Sequence, residues 1–354
     1  MKKVIALTLV LAMSFALAAC APAKETYEIA MITDIGTIDD QSFNQGTWEG
    51  IVRYAEANKI SHKYYQPTEQ STDAYLASIE LAVENGAKII ATPGYLFEEP
   101  IFIAQDMYPD VTFILIDGNP HNADYSEFRT NKNVVGVVFA EEQSGYLAGY
   151  AAVKDGYTKL GFMGGMAVPA VVRFGYGFVQ GAEAAAAESG LDSIDIMYHY
   201  TGGFEQTPEA QALAASWYKG GTEVIFGCGG AVGFSVFAAA EAAGKKSIGV
   251  DVDQSFLSES VITSAMKGIG EATEQLLAQY YEGKFPGGQG LVFDASNQGV
   301  KLPMETSKFT TFSKADYDAL YAKMVAGEVN ILKDTDAETA NDLGVTIAKV
   351  TVVE

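Results

Sequence analysis

The sequence predicts an α/β protein made of two doubly wound, parallel-sheet lobes, and three observations carry that reading. First, from Tyr27 onward short apolar runs alternate with longer segments whose apolar residues recur at helical spacing, the pattern of parallel strands covered by helices on both faces. Second, the halves echo each other: Asn85-Gly86-Ala87-Lys88-Ile89-Ile90 by Gly220-Gly221-Thr222-Glu223-Val224-Ile225, and Phe113–Asp117 by Ser247–Asp251. The offsets, 135 from Gly86 to Gly221 and 134 from Asp117 to Asp251, agree within one position. Third, 354 residues suggest about two domains at roughly 150 residues each, long enough for two cores.

In chain order, the apolar runs 28–33, 88–92, 112–117 and 133–139 read as strands of the first half. Segments 42–58, 72–85 and 98–108 between them carry the helical period. The second half repeats this with strands at 159–163, 194–200, 223–227 and 247–252, and helices at 170–189, 208–219 and 231–243.

The N-terminus gives an address. Lys2 and Lys3 precede an apolar stretch from Val4 to Ala19, a secretion signal whose core is short for a membrane span. Its end, Leu17-Ala18-Ala19-Cys20, resembles the lipobox of bacterial lipoproteins, which implies cleavage before Cys20 and lipidation of its sulfur; the alternative is ordinary cleavage with Cys20 incidental. Cleavage removes Lys2 and Lys3 and takes the net charge from −22 to −24. That charge argues against nucleic acid or anionic lipid as a direct partner. A 48% hydrophobic content excludes wholesale disorder, and three scattered histidines argue against a His-based metal or catalytic centre. Lipidation of Cys20 leaves Cys228 alone, read as a buried, inert thiol rather than a reactive one.

Ligands of open parallel sheets sit beyond the carboxyl ends of the strands, where Asp117 and Asp251 each end an apolar run. Both also suit turns that cap the next helix. The richest stretch is 31–44, where an acidic loop follows the first strand. Asp39, Asp40 or Ser42 can cap the helix that begins there, whereas Phe43 and Asn44 pair a ring that stacks with an amide that reads a base edge. The Asp-x-Asp-x-x-x-Asp-Asp calcium motif of nucleoside hydrolases fails, because Ile32 replaces the first Asp and one extra residue precedes Asp39-Asp40. Gly227–Gly233 is one residue too long for a dinucleotide fingerprint, so its glycines suit close approach of a ligand hydroxyl. No catalytic Ser–His–Asp set or carboxylate pair emerges.

Taken together, several segments resemble the basic membrane protein family, the purine-nucleoside receptor lipoproteins of ABC importers. They are Thr33–Gly36, Asp40–Gln45, Trp48-Glu49-Gly50, Glu142–Gly149, Gly164-Gly165-Met166, Phe174–Gly181, Gly249–Gln254 and Thr263–Lys267, in the family's order up to about residue 330. The resemblance implies a type I periplasmic-binding-protein fold, with a signal peptide at 1–19 and a lipidated tether at 20–26. It further implies an N-terminal lobe of 27–137 and 256–284, and a C-terminal lobe of 138–255 and 285–354. It implies that Phe43 and Asn44 stack on and read a base, that Asp117 reads its edge, and that Phe204 clamps the other face. Gly230, Asp251 and Lys267 would hold the ribose. Two departures stand out: Glu205-Gln206 where the family has an Asp after the aromatic, and Cys228 in place of an Ala-like residue. The implied ligand is adenosine, guanosine or inosine, without metal or cofactor. The implied partner is an ABC permease, with the protein a monomer held by its lipid outside the cytoplasmic membrane. Alternatives are a receptor for a sugar or other small ligand in the same fold, a sensory lipoprotein, and, much more remotely, a nucleoside hydrolase.

Overall fold

A computed structural model describes residues 25–353. The expected signal peptide and Cys20 lie outside the described residues, as does most of the tether.

The first lobe runs β1 (Ile29–Ile32), α1 (Phe43–Asn58), β2 (His62–Tyr65), α2 (Thr72–Glu84), β3 (Ile89–Pro93), α3 (Glu98–Met107), β4 (Thr112–Ile116) and β5 (Val134–Phe139). The second repeats it as α4 (Glu141–Lys154), β6 (Lys159–Gly164), α5 (Pro169–Glu188), β7 (Ile194–Tyr200), α6 (Pro208–Lys219), β8 (Val224–Cys228), α7 (Val232–Ala243), β9 (Lys246–Asp251) and β10 (Val261–Lys267). The chain closes with α8 (Ile269–Tyr281), β11 (Gln289–Phe293), β12 (Val300–Lys301), α9 (Lys314–Val325) and β13 (Ala348–Val352).

One sheet has the order β2-β1-β3-β4-β5-β11 and the other β7-β6-β8-β9-β10-β12, with β13 added beyond β7. The two orders superpose strand for strand, which is the architecture the sequence echo predicts. Every pairing is parallel except β12 against β10. Strands such as Ile29–Ile32, Ile89–Ile90 and Val224–Phe226 are fully buried, as strands covered on both faces must be.

The chain crosses between lobes at residue 140, at 268 and between 294 and 299, which moves two expected boundaries. Residues 256–267, expected in the N-terminal lobe, end in β10, which pairs with β9 of the second sheet. Residues 285–293, expected in the C-terminal lobe, lead into β11, which pairs with β5 of the first. Each strand extends the sheet whose open edge it meets. Only α8 of the 256–284 segment joins the first lobe, packing on α1 with Gly50 against the Gly270 backbone.

Candidate functional site

Asp117 directly follows β4 and Asp251 ends β9, at equivalent corners of the two sheets. Both adopt left-handed backbone, φ 59° and 64°, a conformation Asp tolerates better than most residues. The two strand ends thus make the same turn.

Lys267 ends β10, and its ammonium contacts the Asp117 carboxylate of the opposite lobe. It also lies 3.6 Å from an oxygen of Glu141 and 3.6 Å from one of Asp251. Three rings surround it, Phe43 at 4.7 Å, Phe139 at 5.5 Å and Phe174 at 5.7 Å from their centres. The lysine side chain is only 3% exposed. Ser42 crosses to the other lobe too, its Oγ donating to Asp251 Oδ2 at 2.5 Å. Gln254 Nε2 donates to the Gln41 carbonyl at 2.8 Å alongside.

These charges are buried, so they perturb one another strongly. Burial pushes Asp117 up to about 6 and the Glu141 and Asp251 charges add to that, against the pull of Lys267. Burial alone would lower Lys267, but Asp117, Asp251 and Glu141 outweigh it and hold the ammonium above its ordinary range. Asp117 Oδ1 and Glu141 Oε1 are buried acceptors without a hydrogen-bond donor. A ligand that brings donors would satisfy them.

The acidic loop is built differently from the expectation for Asn44. Asp40 caps α1, accepting the backbone N–H groups of Ser42, Asn44 and Gln45 at 2.9, 2.9 and 3.0 Å. The Asn44 Nδ2 donates to Asp34 and Asp40 at 2.9 and 3.1 Å, and its Oδ1 accepts from the Asp34 N–H. Both ends of that amide are spent inside the loop rather than on the cluster. Burial raises Asp34 to about 6, against hydrogen bonds from Gly36 and Asn44. The loop is thus a rigid support that delivers Ser42 and Phe43 to the interlobe face.

Phe204 and Gly230 form one unit at the ends of β6 and β8. A Cβ on Gly165 would lie 2.5 Å from the Phe204 ring, and one on Gly229 at 3.0 Å. The Phe204 carbonyl accepts the Ala231 N–H at 2.8 Å, and Gly229 and Gly230 take φ 113° and 52°, which suit glycine. Exposed Glu205 and Gln206 lead to Thr207, which caps α6. Cys228 is fully buried and burial pushes its thiol well up, so it is unreactive.

The structure therefore gathers Phe43, Asp117, Asp251 and Lys267, sets Phe204 and Gly230 at the strand ends of the second lobe, and turns Asn44 away. It adds Ser42, Glu141 and Arg173, which the sequence reading did not single out as binding residues. Arg173 donates to Glu141 Oε2 at 2.6 Å. A buried Glu opening a helix was the one available signal, and it reads as an ordinary first-turn acid. Among the described residues, clefts of about 620 and 300 Å³ lie elsewhere, around Asn131 and around Phe312. Among the described residues, no group of three or more His, Cys, Asp or Glu is placed to hold a metal, and no helix is long and apolar enough to cross a membrane.

Two similarly wound lobes, crossed three times by the chain and meeting over strand-end charges, are the architecture of the periplasmic-binding-protein fold, to which solute-binding proteins belong. Residues 27–334 match the family described as ABC transporter substrate-binding protein PnrA-like, and the chain belongs to that family. It is a substrate-binding protein of an ABC transporter and not an enzyme. It is 30% identical over 307 residues to the ABC transporter nucleoside-binding protein BmpA of Lactococcus lactis subsp. cremoris, covering 80% of this chain and 83% of that one. Basic membrane protein A1 of Borrelia garinii subsp. bavariensis is likewise 30% identical, over 86% of this chain and 88% of its own. In fold alone, an ABC transporter solute-binding protein of Aeropyrum pernix K1 aligns with TM-score 0.76 at 22% identity, over 89% of this chain and 95% of that one.

Proposed function

We propose that the protein captures a purine nucleoside (adenosine, guanosine or inosine) between its lobes and delivers it to an ABC permease, as a monomer held to the outer face of the cell membrane by a lipid on Cys20. The observation that carries the reading is the interlobe cluster of Asp117, Asp251 and Lys267, with buried acceptors awaiting donors. A nucleoside suits it: ribose hydroxyls donate to the Asp251 carboxylate, base N–H groups to Asp117, and Lys267 donates to ribose oxygens. Phe43 and Phe204 offer ring faces, each worth about 1–3 kcal/mol if base stacking on aromatics is a guide. The relative named as a nucleoside-binding protein supports the same ligand class.

Calorimetric titration with inosine tests this. Wild type is expected to bind, and Asp251→Ala to bind at least about tenfold more weakly, because one charge-assisted hydrogen bond contributes about 1.5–3 kcal/mol. Binding of a sugar but of no nucleoside would overturn the reading in favour of a sugar receptor.

A further inference from the structure

Glu141 is fully buried at the start of α4, and the proposed ligand contacts leave it unused. One of its oxygens takes the Arg173 Nε at 2.6 Å, while the other lies 3.6 Å from Lys267 and has no hydrogen-bond donor. Arg173 is held in turn by Asp334 at 3.5 Å, on the segment that follows α9. A line of alternating charge thus runs from Asp334 through Arg173 and Glu141 to Lys267, all within the second lobe until it meets the cleft.

The three carboxylates around Lys267 differ in what ligand binding does to them. Asp117 belongs to the other lobe and moves with it. Asp251 is shared with Ser42 of the other lobe. Asp251 and Glu141 both stay with Lys267 on the second lobe, but Asp251 is also the acid offered to Ser42 and to the ribose, so Glu141 is the one of the two that no cross-lobe or ligand contact draws on. The geometry points to Glu141, braced by Arg173, as the positioning residue that keeps Lys267 charged and aimed into the cleft when a ligand takes Asp117 and Asp251 for itself. The ammonium sits in a dry pocket of three rings, where without a fixed anion it would shed its proton. Its charged neighbours are Asp117 after β4, Asp251 on β9 and Glu141 on α4. The buried Cys228 thiol on β8 is held protonated and brings no charge, and Arg173 on α5 acts through Glu141.

This inference rests on the nucleoside reading, and titration of the full-length protein at pH 7.5 and 9.5 with adenosine, whose base does not ionise in that range, separates the two. Failure of wild type to bind adenosine at either pH overturns the nucleoside reading and the inference with it. If wild type binds, its affinity is expected to change less than about threefold between the two pH values, because Lys267 stays charged. Glu141→Gln, nearly identical in shape, is expected to bind about tenfold more weakly at pH 7.5 and to lose about another tenfold by pH 9.5 as Lys267 deprotonates. An alkaline loss no larger than in wild type overturns the inference, since a packing role alone would weaken binding equally at both pH values. If Glu141→Gln does not fold, Arg173 carries the test. Arg173→Gln is expected to reproduce the weakening and Arg173→Lys to restore most of it, whereas wild-type affinity in Arg173→Gln overturns the inference.

Discussion

In the proposed site Asp117 would serve as a charged acceptor, while its burial resists that charge. Its carboxyl is held at about 6 by burial first and by the neighbouring carboxylates second, whereas an unfolded chain holds it at about 3.9. Between about pH 4 and 6 the folded state therefore binds the extra proton, so the Asp117 contribution to stability falls as pH rises through that window. Asp117→Asn mimics the protonated form, and it is expected to melt several degrees above wild type at pH 7.5 while the two converge near pH 4. Thermal melts at both pH values check this, and a wild type that melts higher at pH 7.5 than at pH 4 relative to the variant contradicts it. At this scale the sequence was informative about strand-end acids and poor about amides. Asp117 and Asp251 are marked by ending apolar runs in both halves. Asn44 stands beside Phe43 in the chain, but the first turn of a helix sends adjacent residues about 100° apart, so one reaches the cleft and the other the loop.

At the scale of elements, α4 and α5 approach more closely than ordinary side chains allow. A Cβ on Gly145 would lie 2.0 Å from the Phe174 carbonyl oxygen, and one on Gly149 at 2.1 Å from that of Phe178. Gly177 and Gly181 face the α4 carbonyls of Glu142 and Tyr146 at 2.0 Å in the same way. Since these two helices carry Glu141 and Arg173, their spacing sets the ion pair beneath Lys267. Gly149→Ala is expected to destabilise the protein by more than about 3 kcal/mol, because backbone rather than a mobile side chain must give way. Gly190→Asn serves as the control, with open space around it and a φ of 67° that Asn tolerates, and should change stability by less than about 1 kcal/mol. Denaturant unfolding of both variants measures the contrast; equal stabilities would mean that the helices can part cheaply. The same packing hid α4 from the periodicity argument: twelve of its fourteen residues are buried, so it has no polar face to give a period. β2 escaped for the opposite reason, since His62-Lys63-Tyr64-Tyr65 is an edge strand that buries only Tyr65. β10 escaped because Thr263 and Ser264 interrupt its apolar run.

On the scale of the whole molecule, the repeated sheet order was legible because the two halves share strand-end sequences, while the points of crossing were not. Those are fixed by which sheet edge is open when β10 and β11 arrive, a long-range fact that no local run encodes. Three crossings of the chain at 140, 268 and 294–299 join the lobes through a few residues at element ends, the construction of a hinge with one axis. Across that axis the lobes touch through Lys267 with Asp117, Ser42 with Asp251, and Gln254 with the Gln41 carbonyl. The five groups Asp117, Asp251, Glu141, Lys267 and Arg173 leave one negative charge in excess, so the cluster by itself holds the lobes together weakly for its burial. A nucleoside that donates to both strand-end acids and stacks on rings from both lobes adds free energy to the joined arrangement alone, and so shifts the population toward it. Inosine is therefore expected to lower the radius of gyration measured by small-angle scattering, and at a concentration that half-saturates wild type the decrease should be several-fold smaller in Asp251→Ala. Binding seen by calorimetry with unchanged scattering would place the lobes together before the ligand arrives, and the strand-end acids would then select the nucleoside without driving the motion.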